Sequence, residues 1–480
     1  MNYTIILYML GKVMMVESVL MLMPTITAFI YNEKNGIYFL LCGGIGFTLG
    51  YFISCKKPKN NSFYAREGFA TVALSWIVLS ILGALPFVLS REIPSFTDAL
   101  FETISGFTTT GASILPDVEK LSYCMLFWRS FTHWIGGMGV LVFMLAILPL
   151  AGGGQSMHIM RAESPGPSVG KLVPKIQKTA LYLYIIYFAM TIIEILLLIA
   201  GKMPIFHAIC LSLGSAGTGG FGILADSVAS YTPYQQNVIT IFMFLFGVNF
   251  SFYFLILIKH FRDAFGLEEV KWYIIIYLVA VILITLNLTS ISGNVFYNLH
   301  HAAFQVSSIM TTTGYSTVDF NLWPGFSKTI LVVIMFVGAC AGSTGGGMKV
   351  SRFIIYMKTV KKELSYLIHP RSIKKLKMDG KPIEHEVVRS ANIFLIAYIL
   401  IFTFSVIFIS LDEFDLITNF TAVAATINNI GPGLELVGPI GNFSMFSHFS
   451  KYVLMFDMLA GRLEIFPMLL VFSPSTWKAN

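Results

Sequence analysis

Four short stretches carry residue types suited to holding a bare cation. They read Thr108-Thr109-Thr110-Gly111-Ala112-Ser113, Gly217-Thr218-Gly219-Gly220-Phe221-Gly222, Thr311-Thr312-Thr313-Gly314-Tyr315-Ser316 and Asn428-Asn429-Ile430-Gly431-Pro432-Gly433. Aligned on Gly111, Gly220, Gly314 and Gly431, they are spaced by 109, 94 and 117 residues. Their main-chain carbonyls can replace the hydration shell of a dehydrated cation, as in a selectivity filter. Threonine hydroxyls add oxygens, and glycine permits the positive φ that inward-pointing carbonyls demand. One such string is an ordinary Gly-Thr loop. Four at matching places form an internal repeat, which has to be recognised before any fold is assigned.

The elements around these turns repeat as well. Each turn follows a short apolar run (95–107, 205–215, 297–310 or 415–427) and precedes a long one. The short runs cannot cross a hydrocarbon core about 30 Å thick, so each is a re-entrant or interfacial candidate. Long apolar runs lie near 3–31, 37–54, 68–90, 124–150, 179–200, 237–258, 272–291, 327–348, 390–411 and 451–472. The pattern predicts an all-α polytopic membrane protein of ten spans. Two N-terminal spans (1–67) precede four units of helix, pore helix and helix around a central ion pore. The units cover 68–178, 179–271, 272–389 with a basic loop, and 390–480. Half-helices before the turns direct their negative C-terminal ends at the cavity, which favours a cation.

Composition supports this reading. Of 480 residues, 56% are hydrophobic and 12% charged, against about 25% charged in soluble domains. That excludes a soluble enzyme, a nucleic-acid binder and a disordered chain. The five cysteines are scattered without a CxxC pair and read as small core residues. No cleavable signal pattern is present. Twenty-three of the 32 basic residues fall in 55–67, 155–178, 259–271, 349–389 and at Lys478. With ten alternating spans these share one side, which the positive-inside rule makes cytoplasmic, with both termini.

Other residues have two readings each. The span 327–348 ends Gly338-Ala339-Cys340-Ala341-Gly342-Ser343-Thr344-Gly345-Gly346-Gly347, and three successive glycines should unwind it, at about 1 kcal/mol each. Close packing through small residues is the alternative. Arg462 is expected near the middle of the last span, where a charge is costly and functional by default; an ion pair with Asp457 or Glu464, or a place nearer the cytoplasmic interface than the run suggests, is the alternative. Asp98 and Glu102 either add negative field at the outer mouth or serve the first short helix. His207, His300 and His301 read as internally satisfied, and Arg129, His133 and Trp134 as interfacial anchors. The eleven basic residues of 349–389 suit anionic lipid or an acidic partner.

The TTTGAS, GTGGFG, TTTGYS and NNIGPG turns resemble the four filter loops of the Trk/Ktr/HKT potassium transporter superfamily. The N-terminal spans, the segment Arg161-Ala162-Glu163-Ser164-Pro165-Gly166-Pro167 and the Gly-rich stretch 342–347 resemble its TrkH-type members. The resemblance covers nearly the whole chain. It implies potassium uptake across a bacterial inner membrane, a homodimer with one pore per subunit, and a TrkA-like cytosolic nucleotide-binding regulatory ring. It implies K+ held by backbone carbonyls around Thr109, Thr110 and Gly111; Thr218, Gly219 and Gly220; Thr312, Thr313 and Gly314; and Asn429, Ile430 and Gly431. It implies a gate at Gly342, Ser343, Thr344, Gly345, Gly346 and Gly347, linked to Arg462. The fourth turn diverges most, and none carries TVGYG, so fewer ion sites and weaker sodium exclusion than in a symmetric channel are expected.

Two rivals remain open. A secondary transporter coupling potassium to proton or sodium movement would show inverted repeats and a midplane site. These repeats share one orientation, and acidic residues read as sparse in the span centres. A membrane enzyme has little support, since no HExxH, GxSxG or paired His/Asp constellation appears in the spans.

Overall fold

Lipid offers no partner for a free amide, so the apolar runs satisfy their backbone as helices. A computed structural model describes residues 1–56, 58, 64–147, 176–371 and 375–478. The expectations on Arg161–Pro167, Lys171 and Lys175 lie outside these residues. Apart from helices, the described residues hold one small antiparallel hairpin, Lys377–Met378 with Lys381–Pro382.

Among the described residues, six helices are long and apolar enough to cross a membrane: Tyr3–Ile30, Gly36–Ser54, Ala65–Leu89, Leu181–Ala200, Glu268–Ile291 and His385–Asp412. Their outward faces are apolar, with Leu196, Leu286, Ile396 and Phe404 more than half exposed. In water such a surface is a liability; in lipid it is the solvent-facing side. The first two pack through small residues, with Gly11 against Gly50 and Gly43 against Ser18.

Ten continuous spans are not what the described residues show. The run 237–258 is two helices, Pro233–Phe246 and Phe250–Leu257, bent by 90°. The break is stabilised because other chain satisfies its backbone. Cys340 N donates to Gly247 O at 3.0 Å, and Phe250 N donates to Gly342 O at 3.0 Å. Asn249 Oδ1 accepts from Ser251 N at 2.9 Å and starts the second helix. The run 327–348 is helical only over Gly325–Val337. The run 451–472 splits into His448–Arg462 and Phe466–Phe472. Glu464 and Ile465 have positive φ there, and Pro467 cannot donate into a continuing helix.

The four short apolar runs are the helices Phe96–Phe107, Ile205–Gly217, Val295–Met310 and Leu416–Ile427. Three start at a side-chain cap: Ser95 accepts from Asp98 N, Asn294 from Tyr297 N and Asp415 from Thr418 N. The second starts after Pro204. Each is followed by a non-helical turn and then a helix, beginning at Tyr123, Pro233, Gly325 and His448 respectively.

Candidate ion site

All four short helices end alike. Thr109 N and Thr110 N donate back to Gly106 O (3.1 Å) and Ser105 O (2.9 Å). Thr218 N and Gly219 N reach Ser215 O (3.0 Å) and Gly214 O (2.8 Å). Thr312 N and Thr313 N reach Ile309 O (3.2 Å) and Ser308 O (2.8 Å). Asn429 N and Ile430 N reach Thr426 O (3.1 Å) and Ala425 O (2.8 Å). This paired closure needs a left-handed residue. Thr109, Thr218, Thr312 and Asn429 supply it, with φ of 55°, 54°, 61° and 56°. Two residues on, Gly111, Gly220, Gly314 and Gly431 are again positive, at 77°, 82°, 89° and 98°. An extended strand sends successive side chains and carbonyls to opposite sides; reversing the hand at every second residue turns the carbonyls toward one side.

The turns also meet one another. A Cβ on Gly111 would strike Gly219 O, one on Gly220 would strike Thr313 O, and one on Gly314 would strike Ile430 O. A Cβ on Gly431 would lie 2.8 Å from Thr110 O, so the fourth turn abuts the first. The carbonyl oxygens of Thr109, Thr110, Gly111, Thr218, Gly219, Gly220, Thr312, Thr313, Gly314, Asn429, Ile430 and Gly431 accept no hydrogen bond among the described residues. Buried backbone carbonyls are rarely left unpaired. Twelve in four adjoining turns make a concentrated field of free oxygen lone pairs, suited to a cation.

Side chains brace the turns from behind. Thr108 Oγ1 and Thr110 Oγ1 lie 2.8 Å apart, and Thr311 and Thr313 repeat that contact at 2.8 Å. In the fourth turn Asn429 replaces threonine, and its amide donates to Thr110 Oγ1 and to Met458 O, both at 2.9 Å. The divergent residue therefore ties the fourth quarter to the first.

The glycine-rich stretch is an irregular loop at 338–349. Gly338, Gly342, Gly347 and Lys349 have positive φ, which excludes continuous helix packing. The loop lies against the third and fourth turns: Gly346 N donates to Thr312 Oγ1 at 2.6 Å, and Gly346 Cα faces Asn428 O. Ser343 Oγ donates to Cys340 O at 2.6 Å, and Thr344 Oγ1 to Phe246 O at 3.3 Å. Glu269 Oε1 accepts from both flanks of the loop, Ala341 N at 2.7 Å and Ser351 N at 3.1 Å. Sequence reasoning missed Glu269, because only the fold brings it across 72 and 82 residues.

Arg462 stands at the break in the run 451–472. It is the last residue of its helix, and its two terminal nitrogens donate to Thr344 O and Gly136 O, each at 2.8 Å. It thus links the loop to the first unit. Glu464 pairs with Arg352, and Asp457 accepts from Ser405 at 2.7 Å. Arg352 and Lys349 of the basic segment are accordingly engaged in the protein, with Lys349 Nζ on Gly345 O.

Arg129 and His133 are not interfacial anchors. Both are buried, at 2% and 0% exposure. Arg129 is ion-paired with Glu102 at 2.7 Å, and Glu102 Oε2 accepts from Ile114 N at 3.0 Å just past the first turn. His133 Nδ1 lies 2.8 Å from Gly106 O, and Phe221 N donates to its Nε2 at 3.2 Å. Asp98 pairs with Lys451 at 2.6 Å and joins the first unit to the last. His207, His300 and His301 bond Tyr231, Gln236 and Thr317. No cluster of three metal-ligating side chains occurs among the described residues. Glu17, Glu194 and Asp457 are buried within the apolar helices without an ion pair among the described residues. They run against the expectation that acidic residues are sparse in the span centres.

Comparison with known proteins gives one result throughout. The family described as TrkH, cation transport protein, matches residues 43–479. The Trk system potassium uptake protein TrkH of Salmonella typhimurium is 35% identical over all of both chains. TrkG of Escherichia coli K12 is 32% identical over 99% of each. The crystal structure of the potassium transporter TrkH from Vibrio parahaemolyticus superposes with a TM-score of 0.89, at 32% identity, over all of both chains.

Proposed function

The chain belongs to the TrkH family of cation transport proteins, and from that membership we propose that it takes up K+ through a gated, channel-like pore driven by the membrane potential. K+ is the transported ion and no catalysis is involved. The observation that carries this reading is the set of four adjoining turns whose twelve carbonyls accept no hydrogen bond among the described residues. Such oxygens stand in for hydration water around a weakly hydrated cation. Four units of helix, pore helix and helix, after two N-terminal helices, supply one turn each. The loop 342–347 with Arg462 acts as the gate, a reading supported by its contacts with two of the four turns and by the Arg462 link from Thr344 O to Gly136 O.

The protein sits in a bacterial inner membrane with both termini cytoplasmic, an orientation supported by the basic bias of its loops. It works as a homodimer beside a TrkA-like cytosolic nucleotide-binding ring, which docks on the basic surface around 353–389. The test is rescue of growth at low potassium in a strain lacking potassium uptake. Rescue by the wild type and failure of Gly220→Ser support the reading; rescue by both contradicts it.

Coupled transport of potassium with protons or sodium keeps one observation in its favour, the buried carboxyls Glu17, Glu194 and Asp457, which have no ion pair among the described residues. Such groups mark proton relays in other membrane proteins. Reversal potentials in vesicles separate the two readings. A pore ignores the pH gradient and shifts with sodium only as far as its sodium permeability dictates, whereas a coupled carrier reverses where the combined gradients of the coupled ions balance.

A further inference from the structure

The four turns are unequally braced. The first and third have the threonine–threonine hydroxyl contact, and the fourth has the Asn429 amide. The second turn has neither. Its sequence, Gly217-Thr218-Gly219-Gly220-Phe221-Gly222, holds four glycines in six residues, so it has the most backbone freedom to lose on ordering. What meets it from behind is His133. A Cβ on Gly219 would overlap the imidazole ring. The ring lies 4.2 Å from that of Phe221 between centroids, and the Arg129 guanidinium caps Phe221 at 4.0 Å.

The partners fix the tautomer. Phe221 N–H can only donate, so Nε2 is the acceptor; Gly106 O can only accept, so Nδ1 carries the proton. His133 is then one rigid bridge from the first short helix to the amide immediately after the second filter glycine. Among the described residues no side chain bonds the corresponding amides of Ala112 or Tyr315, and Pro432 has no amide hydrogen. We propose that His133 is a selectivity-determining positioning residue, which holds the carbonyls of Gly219 and Gly220 at the spacing a K+ ion needs through its Nε2 bond to Phe221. This rests on the filter reading of the four turns. Loss of the bond frees the glycine-rich quarter to collapse around a smaller ion, so Na+ is the ion that gains.

The two amide side chains test the two bonds separately. Asparagine overlays Nδ1 and keeps the Gly106 partner; glutamine overlays Nε2 and keeps the Phe221 partner. The K+/Na+ permeability ratio is measured from reversal potentials of purified full-length protein in vesicles, for H133Q, H133N, H133F and Gly220→Ser. A buried hydrogen bond is typically worth about a factor of ten. H133N and H133F are expected to lose roughly that factor in the ratio, and H133Q to show the smallest loss. Equal ratios in the three histidine variants overturn the proposal, whether all stay high or all fall. So does failure of all three to fold, which would make His133 a structural residue only. Gly220→Ser serves as the control: if it leaves flux and ratio unchanged, the filter reading itself fails. If it abolishes them while the histidine variants behave alike, the failure belongs to His133.

Discussion

At Gly111, Gly220, Gly314 and Gly431 two demands coincide: positive φ and a neighbouring turn's carbonyl where a side chain would begin. A non-glycine residue in the left-handed region already costs on the order of 1–2 kcal/mol, and the contact adds to it. Serine at any one of the four is therefore expected to cut potassium flux more than tenfold in vesicles while protein yield stays near normal. Full flux in any single variant would remove that quarter from the site. The Arg129–Glu102 pair behaves differently. Both side chains are almost wholly buried, so removing one leaves the other uncompensated, at about 3–5 kcal/mol. Glu102→Ala is expected to lower the thermal midpoint of the purified protein by many degrees, and an unchanged midpoint would refute the burial argument. The glycines were legible in the sequence because they repeat. Arg129, His133 and Glu269 were not, since a polar residue in an apolar helix shows its partner only once the fold brings remote segments together.

At the scale of elements, the irregular loop 338–349 is positioned from three sides. The break at Gly247–Asn249, the Glu269 carboxylate and Arg462 each hold it by main-chain contacts. Arg462→Gln removes the charged link between Thr344 O and Gly136 O, so a several-fold rise in flux is expected; lower or equal flux would count against a restraining role. Three glycines in a row announced the loop; the bend in 237–258 was signalled only by Gly247 and the cap Asn249, a weak pair inside a continuous apolar run. Capping is a local matter and easier to read. Asp415 accepts from Thr418 Oγ1 at 2.5 Å and Thr418 N at 2.9 Å, and those hydrogen bonds hold its carboxyl below the ordinary range. A depressed folded-state value means the cap is fully effective above the unfolded value near 3.9. Its contribution is lost as pH falls through the lower, folded value. Asp415→Asn keeps an acceptor but cannot titrate, so its acid unfolding should be less steep with pH than that of the wild type. Identical curves would dismiss the cap as a source of pH dependence.

For the whole molecule, the helical membrane fold and the order of long and short helices could be read from hydropathy and from four similar turns. Continuity of the spans could not. Apolar runs of equal length become straight, bent or broken helices according to what lies beside them, as 272–291 and 237–258 demonstrate. The central claim is that the four turns enclose one ion site on their common axis. It is tested most directly by crystals of the full chain grown in rubidium, with anomalous scattering recorded at the rubidium edge. The account predicts a peak within the ring of Gly111, Gly220, Gly314 and Gly431, coordinated by their neighbours' carbonyl oxygens. Rubidium peaks found only elsewhere on the protein, with the ring free of anomalous signal, would contradict it.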